Sequence, residues 1–386
     1  MTRVRRSATL VLLAALLGLA PGASAYTSDV PTSQNNPMAN KRWFVDWEWG
    51  LSQRQYIEYV IGRRLSPGDY ELRRSWAETA LADPAALLSR VRPEDQQKAQ
   101  LMLKIARNPQ TMRYGTWTKN PGQQVRTYLH RLRRNDPGSY AFFYLYRLSH
   151  EGCVQRKSWS GYHDPKFIGE GKREARRYRR WIRAFSRGLR HQPATIFLEP
   201  DSLGVIECLP KHARVQRYAL LRYAIRKLSA NPNAAIYLDA GASDWIKPRI
   251  MARRLKIAGV GATRGFFLNS THYDWTINNL RYGNRLSRAL GGKHYVISTA
   301  VNGRGPYRLP RKKRYFNELR CNPPGRALGE EPTVRTGSVW ADAYVWIGDP
   351  GRSGSAKCPH EGMPKAPPAG RWWEWYALDL AGRASW

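Results

Sequence analysis

Carboxylates, amides and tryptophans recur just past short apolar runs in this chain. The run ATIFLE at 194–199 is followed by Pro200 and Asp201, and AAIYLD at 234–239 ends in Asp239 with Trp245 beyond. GFFLN at 265–269 ends in Asn269, HYVIST at 294–299 leads to Asn302 and Gly303, and AYVWI at 343–347 carries Trp346 and leads to Asp349. A carboxyl group moves protons, an amide bonds hydroxyls as donor and acceptor, and an indole face stacks on an apolar ring face. In this combination they describe a carbohydrate site. A single Trp is more often core, so the weight rests on several at equivalent positions.

Other chemistries find little support. His150, His163, His191 and His212 show no ligand spacing, and Cys153 and Cys208 have no CxxC partner, so neither a metal nor another cofactor is expected. No P-loop, G-x-G-x-x-G after a strand or G-x-S-x-G elbow is present.

The elements that must hold these residues are legible as a pattern. The runs above, with AFFYLY at 141–146 and RWFVDW at 42–47, are near-continuous, aromatic and β-branched. Such runs predict strands buried on both faces. Helical spacing at 170–189, 214–228 and 280–290 separates them. Strand–helix alternation predicts an α/β fold, a distorted TIM-like parallel β/α barrel of about seven strands in a single domain. Functional residues of such barrels lie past the C-terminal ends of strands.

The N-terminus carries Arg3, Arg5 and Arg6, an apolar stretch at 8–20 and the small-residue ending Ala23-Ser24-Ala25. That is the pattern of a secretory signal peptide over 1–25, with a polar linker expected at 26–40. The protein is then secreted, with no membrane span after cleavage. The 386 residues include 64 Lys+Arg against 29 Asp+Glu, a formal charge of +35. Removing the three leader arginines leaves 35 − 3 = +32, enough to attract polyanions. The densest basic stretch, 166–190, also carries Tyr178, Trp181, Ile182, Phe185 and Leu189 on one helical face. It reads as a surface helix rather than a nucleic-acid arm, and no specific nucleic-acid partner is expected. Four cysteines in an exported chain suggest disulfides, with three connectivities open.

Leu198-Glu199-Pro200-Asp201-Ser202-Leu203 resembles the acid motif of glycoside hydrolase family 6, the cellobiohydrolases and β-1,4-endoglucanases. Further segments agree in order: Tyr237-Leu238-Asp239-Ala240-Gly241 with Trp245, Gly265-Phe266 to Asn269, and Tyr282-Gly283-Asn284. Cys321-Asn322-Pro323-Pro324-Gly325-Arg326, Asp342-Ala343-Tyr344 and Trp372-Trp373 match the C-terminal third. The resemblance spans 41–386, with a helical insertion around 52–104. It implies inverting hydrolysis of β-1,4-linked polysaccharide with Asp201 as general acid. It also implies the pairs Cys153–Cys208 and Cys321–Cys358, and sugar contacts from Tyr146, Trp245, Asn269, Asn322 and Trp346.

The sequence departs from the pattern around the reacting centre. Gly152 stands where the family has an accessory carboxylate, and Gly354 where it has the candidate base. Gly348 and Arg352 replace a Lys and a Glu, Arg320 a Trp, Ala242 a His, and Ser298 an Asp. Three readings follow. The first is a β-glucanase whose water is activated by Asp349 or through Ser298 or Ser353. The second is a hydrolase or binder of an anionic glycan, with Arg320 and Arg352 pairing to its charges. The third is a non-catalytic glycan-binding or cell-wall-associated protein.

Overall fold

The computed structural model describes residues 33–148, 171–307, 321–356, 360 and 362–386. The apolar runs form parallel strands: β1 Met112–Gly115, β2 Ala141–Tyr146, β3 Ala194–Leu198, β4 Ala234–Asp239, β5 Gly265–Leu268, β6 His294–Ser298 and β7 Ala341–Val345. They lie side by side in chain order, β1-β2-β3-β4-β5-β6-β7, so every described connection is a crossover on the outside of one curled sheet. Both faces are buried, which is why the strands read as continuous apolar runs. Phe142, Tyr144, Phe197, Tyr237, Phe267, Val296 and Val345 fill the inside of the curl. Phe143, Leu145, Ile196, Leu198, Leu238, Phe266 and Ile297 face the helices outside.

Those outer helices are α4 Pro121–Asn135, α5 Lys172–Leu189, α6 Lys211–Leu228, α7 Pro248–Ala258 and α8 Thr276–Ala289. The amphipathic face expected for α5 is buried as Tyr178, Trp181, Ile182, Phe185 and Leu189, with its arginines toward solvent. α4 and α5 approach closely because each offers a glycine. A Cβ on Gly122 would stand 2.5 Å from the Ala184 carbonyl oxygen, and one on Gly188 2.5 Å from that of Gly122.

The curl does not close by a β-ladder. Between β7 and β1 the seam is a bridge from Gln110 to Trp346, a hydrogen bond from Thr111 Oγ1 to the Ile347 carbonyl, and Thr333 bonded both ways to Tyr344. Helices expected over 52–104 are present as α1 Leu51–Ile61, α2 Tyr70–Ala82 and α3 Gln96–Ala106. They share a second core with α9 Glu374–Gly382, built on Tyr56, Met102, Ile105, Trp346, Tyr376 and Leu380.

Two expectations differ from what is observed. The run 42–47 forms no strand. It makes only the bridge Trp43–Tyr140 beside the start of β2, because the neighbouring strand position is taken by β1. The second is the polar linker at 26–40: its described part, 33–40, is packed against the bottom of the curl. Ser33 Oγ donates to Asp342, Asn36 Nδ2 donates to the Asp342 carbonyl, and Met38 is buried among the inner side chains. Asp342 also accepts from Tyr237 and from both ends of the Arg264 fork, with His294 at 3.2 Å. Burial alone would raise its pKa, but the Arg264, His294, Ser33 and Tyr237 hydrogen bonds outweigh that and hold it below the usual carboxylate value. No helix among the described residues is long and apolar enough to cross a membrane.

Candidate active site

The end of β3 is bent sharply. Glu199 and Asp201 both take left-handed φ values, 54° and 62°, uncommon for residues with a Cβ. The turn leaves Glu199 inside and brings Asp201 out. Glu199 is fully buried and accepts from the backbone N–H groups of Arg147, at 2.9 Å, and Leu148, at 2.6 Å. Its carboxyl therefore fastens the end of β3 to the end of β2. Burial pushes its pKa up to about 7 against those hydrogen bonds.

Asp201 is half-buried and accepts from Thr271 Oγ1 at 2.7 Å. Asp239, the last residue of β4, lies beside it and is 1% exposed. The Gly241 N–H at 3.1 Å and the Asp201 N–H both donate to the Asp239 carboxylate. Burial, and then the Asp201 charge, push its pKa well above the ordinary value. The result is a buried carboxyl set against a half-buried one, with burial and the neighbouring charge both disfavouring ionisation of Asp239. The sequence marked Asp239 as a strand-end carboxylate, yet nothing in its spacing paired it with Asp201. Adjacent strands in register bring the two ends together. The Arg113 guanidinium lies 5.3 Å over the ring of Tyr144, on the inner face of β2.

Aromatic side chains flank this pair. Trp245 covers Gly204, where a Cβ would stand 2.3 Å from the indole, and so leans on the loop that carries Asp201. His272 stacks on Trp245 at 5.0 Å and 23°, and its Nδ1 lies 2.6 Å from Asp244. Tyr146 ends β2 half-buried, 6.5 Å from the Trp117 ring. Trp117 is 56% exposed and Trp275 43% exposed. Sequence reading missed both, because each lies in a loop past a strand end rather than at the end itself.

The remaining expected residues are spent on the fold. Trp346 is wholly buried, donates to the Glu330 carbonyl and packs near Trp386, so it is core and not a sugar platform. The bridge to Gln110 turns it into the seam. Asn322 is buried, donating to Ser353 Oγ and the Ser355 carbonyl while accepting from the Gly354 N–H at 2.6 Å. Asn269 donates to the Asp274 and Ser298 carbonyls, and its Oδ1 is buried without a partner. Asp349 is ion-paired to Arg352 Nε, and Arg352 also donates to the Gly370 carbonyl. Ser298 is buried, and Ser353 donates to the Pro367 carbonyl. At Gly354 a Cβ would meet Asn322 Oδ1 and Cys321 Sγ, each at 3.3 Å. Cys321 is disulfide-bonded. Gly152, Cys153, Arg320 and Cys358, with the side chain of Cys208 and the leader at 1–25, lie outside the described residues.

Known proteins share this fold. The family model for glycosyl hydrolases family 6 matches residues 71–384. The chain is 32% identical over 287 residues to endoglucanase A of Cellulomonas fimi, covering 74% of this chain and 57% of that protein. It is 31% identical over 281 residues to endoglucanase 1 of Streptomyces halstedii, covering 70% and 80%. The structure of the endoglucanase Cel6 from Mycobacterium tuberculosis superimposes with a TM-score of 0.65 at 32% identity, over 90% of this chain and 99% of that one. The catalytic core of the cellobiohydrolase Cel6A from Chaetomium thermophilum shares the fold, with a TM-score of 0.62 at 20% identity over 91% and 99%. With seven parallel strands in that order and a family match over most of its length, the chain belongs to glycosyl hydrolase family 6.

Proposed function

We propose that this protein is a secreted glycosidase that cleaves β-1,4-linked glucan by inversion, with Asp201 as proton donor. The observation that carries this reading is the Asp201–Asp239 pair at the ends of β3 and β4. Asp239 lies buried at its side, where burial and the Asp201 charge raise its pKa, and Asp201, half-buried on its left-handed turn, is the member that faces the mouth and carries the transferable proton. In the reaction a proton passes from Asp201 to the glycosidic oxygen as the C1–O bond breaks. Water then attacks C1 from the opposite face, giving the inverted sugar. The candidate that takes the water's proton is the Asp349 carboxylate, freed when its ion pair with Arg352 opens; the buried Ser298 and Ser353 hydroxyls offer no final acceptor for that proton, Ser353 being bonded to the Pro367 carbonyl. The named activities of the endoglucanase relatives point to the same substrate class, and the leader-like residues 1–25 point to export.

The test is reducing-sugar release by the chain from residue 26 onward, on neutral β-1,4-glucans and on anionic polysaccharides. Asp201→Ala is expected to lower release by about 10²–10⁴-fold, the usual worth of general acid catalysis, while binding persists. A second reading, a glycan-binding protein without turnover, is favoured by Gly354 at the base position together with the ion pair that holds Asp349. Retained binding with no release from any polymer would select it. Of the two arginines considered for an anionic glycan, Arg352 is occupied by Asp349 and Gly370.

A further inference from the structure

Outside the barrel wall, at the same end as Asp201, lies a basic cavity of about 340 Å³ lined by Thr116, Thr118, Lys119, Arg147, Arg177, Arg180 and Trp181 among others. We infer that this cavity is an accessory site for the carboxylate or phosphate groups of an anionic polysaccharide, next to the cleft and distinct from it. Three observations carry this.

The first is unbalanced charge. Four cationic side chains face the cavity, and Glu174 engages Arg147 at 3.8 Å and Arg177 more closely. Lys119 and Arg180 are exposed and have no acidic partner among the described residues. Guanidinium and ammonium groups left in that state are suited to oxyanions.

The second is a stiff wall. Thr118 Oγ1 accepts from the Gly115 N–H at 3.1 Å, and the Thr118 carbonyl accepts from Trp181 Nε1 at 3.1 Å. The close Gly122–Gly188 packing locks α4 against α5 below it. α4 begins at Pro121 on the cavity's edge, so its positive end adds to the field there.

The third is continuity with the cleft, which selects a glycan over other polyanions. Trp117 sits between Thr116 and Thr118, and Tyr146 directly precedes Arg147. These two aromatic rings lie 6.5 Å apart at the mouth while their neighbours line the cavity. A sugar stacked on that pair sends its charged substituent over the rim toward Lys119 and Arg180.

This inference rests on the reading of the cleft as a glycan site, and the test separates the two. Equilibrium binding of the chain from residue 26 onward is measured with a carboxymethylated β-1,4-glucan and with a neutral hydroxyethylated one. The variants are Lys119→Gln/Arg180→Gln and, as a charge-matched control on α7, Arg253→Gln/Lys256→Gln. The cavity variant is expected to bind the carboxymethylated polymer about tenfold more weakly with neutral binding unchanged, and the control to stay within about twofold. Glu174→Gln, which frees Arg147 and Arg177, is expected to tighten carboxymethylated binding several-fold. Equal weakening by both double variants, no weakening by the cavity variant, or no tightening by Glu174→Gln overturns the proposal. Displacement of the glucan by single-stranded DNA at equal charge concentration overturns its assignment to glycans. Failure of the cleft reading shows separately, as absence of any binding of the neutral polymer by the unmodified protein.

Discussion

Glu199 and Asp201 stand two residues apart and differ in almost every physical respect. Glu199 is sealed inside with two backbone donors, and its pKa of about 7 lies above the ordinary 4.5. Such an acid favours the folded state while it is neutral. Its full contribution is present below about pH 4.5 and is lost as pH rises through about 7, worth about 3 kcal/mol. Glu199→Gln is therefore expected to flatten the fall in melting temperature between pH 5 and 8, read as the difference from the unmodified protein at each pH. A difference independent of pH would show that Glu199 does not titrate in that window. At Gly354 the missing carboxylate can be returned. A Cβ there is tight against Asn322 and Cys321 but does not clash with backbone at under 3 Å. Gly354→Asp is expected to raise release from neutral β-glucan at least tenfold, at a modest cost in melting temperature. Unchanged release would remove position 354 from the chemistry. Asp201 was legible at this scale because its six-residue motif is local. Its partner Asp239 was not, because only strand pairing sets their distance.

At the scale of elements, the indole that the sequence offered as a platform is core, and one that it did not single out stands in solvent. Trp346 follows β7 and reads as a platform, yet it is core, whereas Trp117 follows β1 in a loop and stands in solvent. Trp346→Ala is expected to cost about 3–5 kcal/mol in denaturant unfolding, the usual penalty for emptying a buried indole. Trp117→Ala is expected to leave stability within about 1 kcal/mol and to weaken glucan binding. The opposite pattern in either protein would reverse these assignments. The difference was not legible because β7 meets helices from both chain ends. Tyr59 on α1 bonds Glu374 on α9, and Trp386 packs near Trp346. Strand β1 escaped notice for a related reason: only four residues long, with Arg113 inside it, it carries no apolar run of its own.

The whole molecule is a curled sheet held at two places where no ladder helps. One is the seam between β7 and β1. The other is Asp342 at the bottom, which gathers Ser33, Tyr237, Arg264 and His294 around one buried carboxylate. Asp342→Ala leaves the Arg264 charge without its partner and is expected to cost about 3–5 kcal/mol, measured by denaturant unfolding. A loss under 1 kcal/mol would mean that the cluster contributes little. The sequence by itself determined the strand–helix alternation, the two buried sheet faces and the place of Asp201 just past β3, since each follows from residues close together in the chain. Only the tertiary structure decided that Ser33, Asn36 and Met38 pack against the bottom of the curl, that Asp239 lies buried beside Asp201, and that Asn322, Trp346 and Arg352 are consumed by packing. Ser33 and Asp342 stand 309 positions apart and Asp201 and Asp239 38 apart, and such distances are set by closure of the sheet rather than by any local pattern.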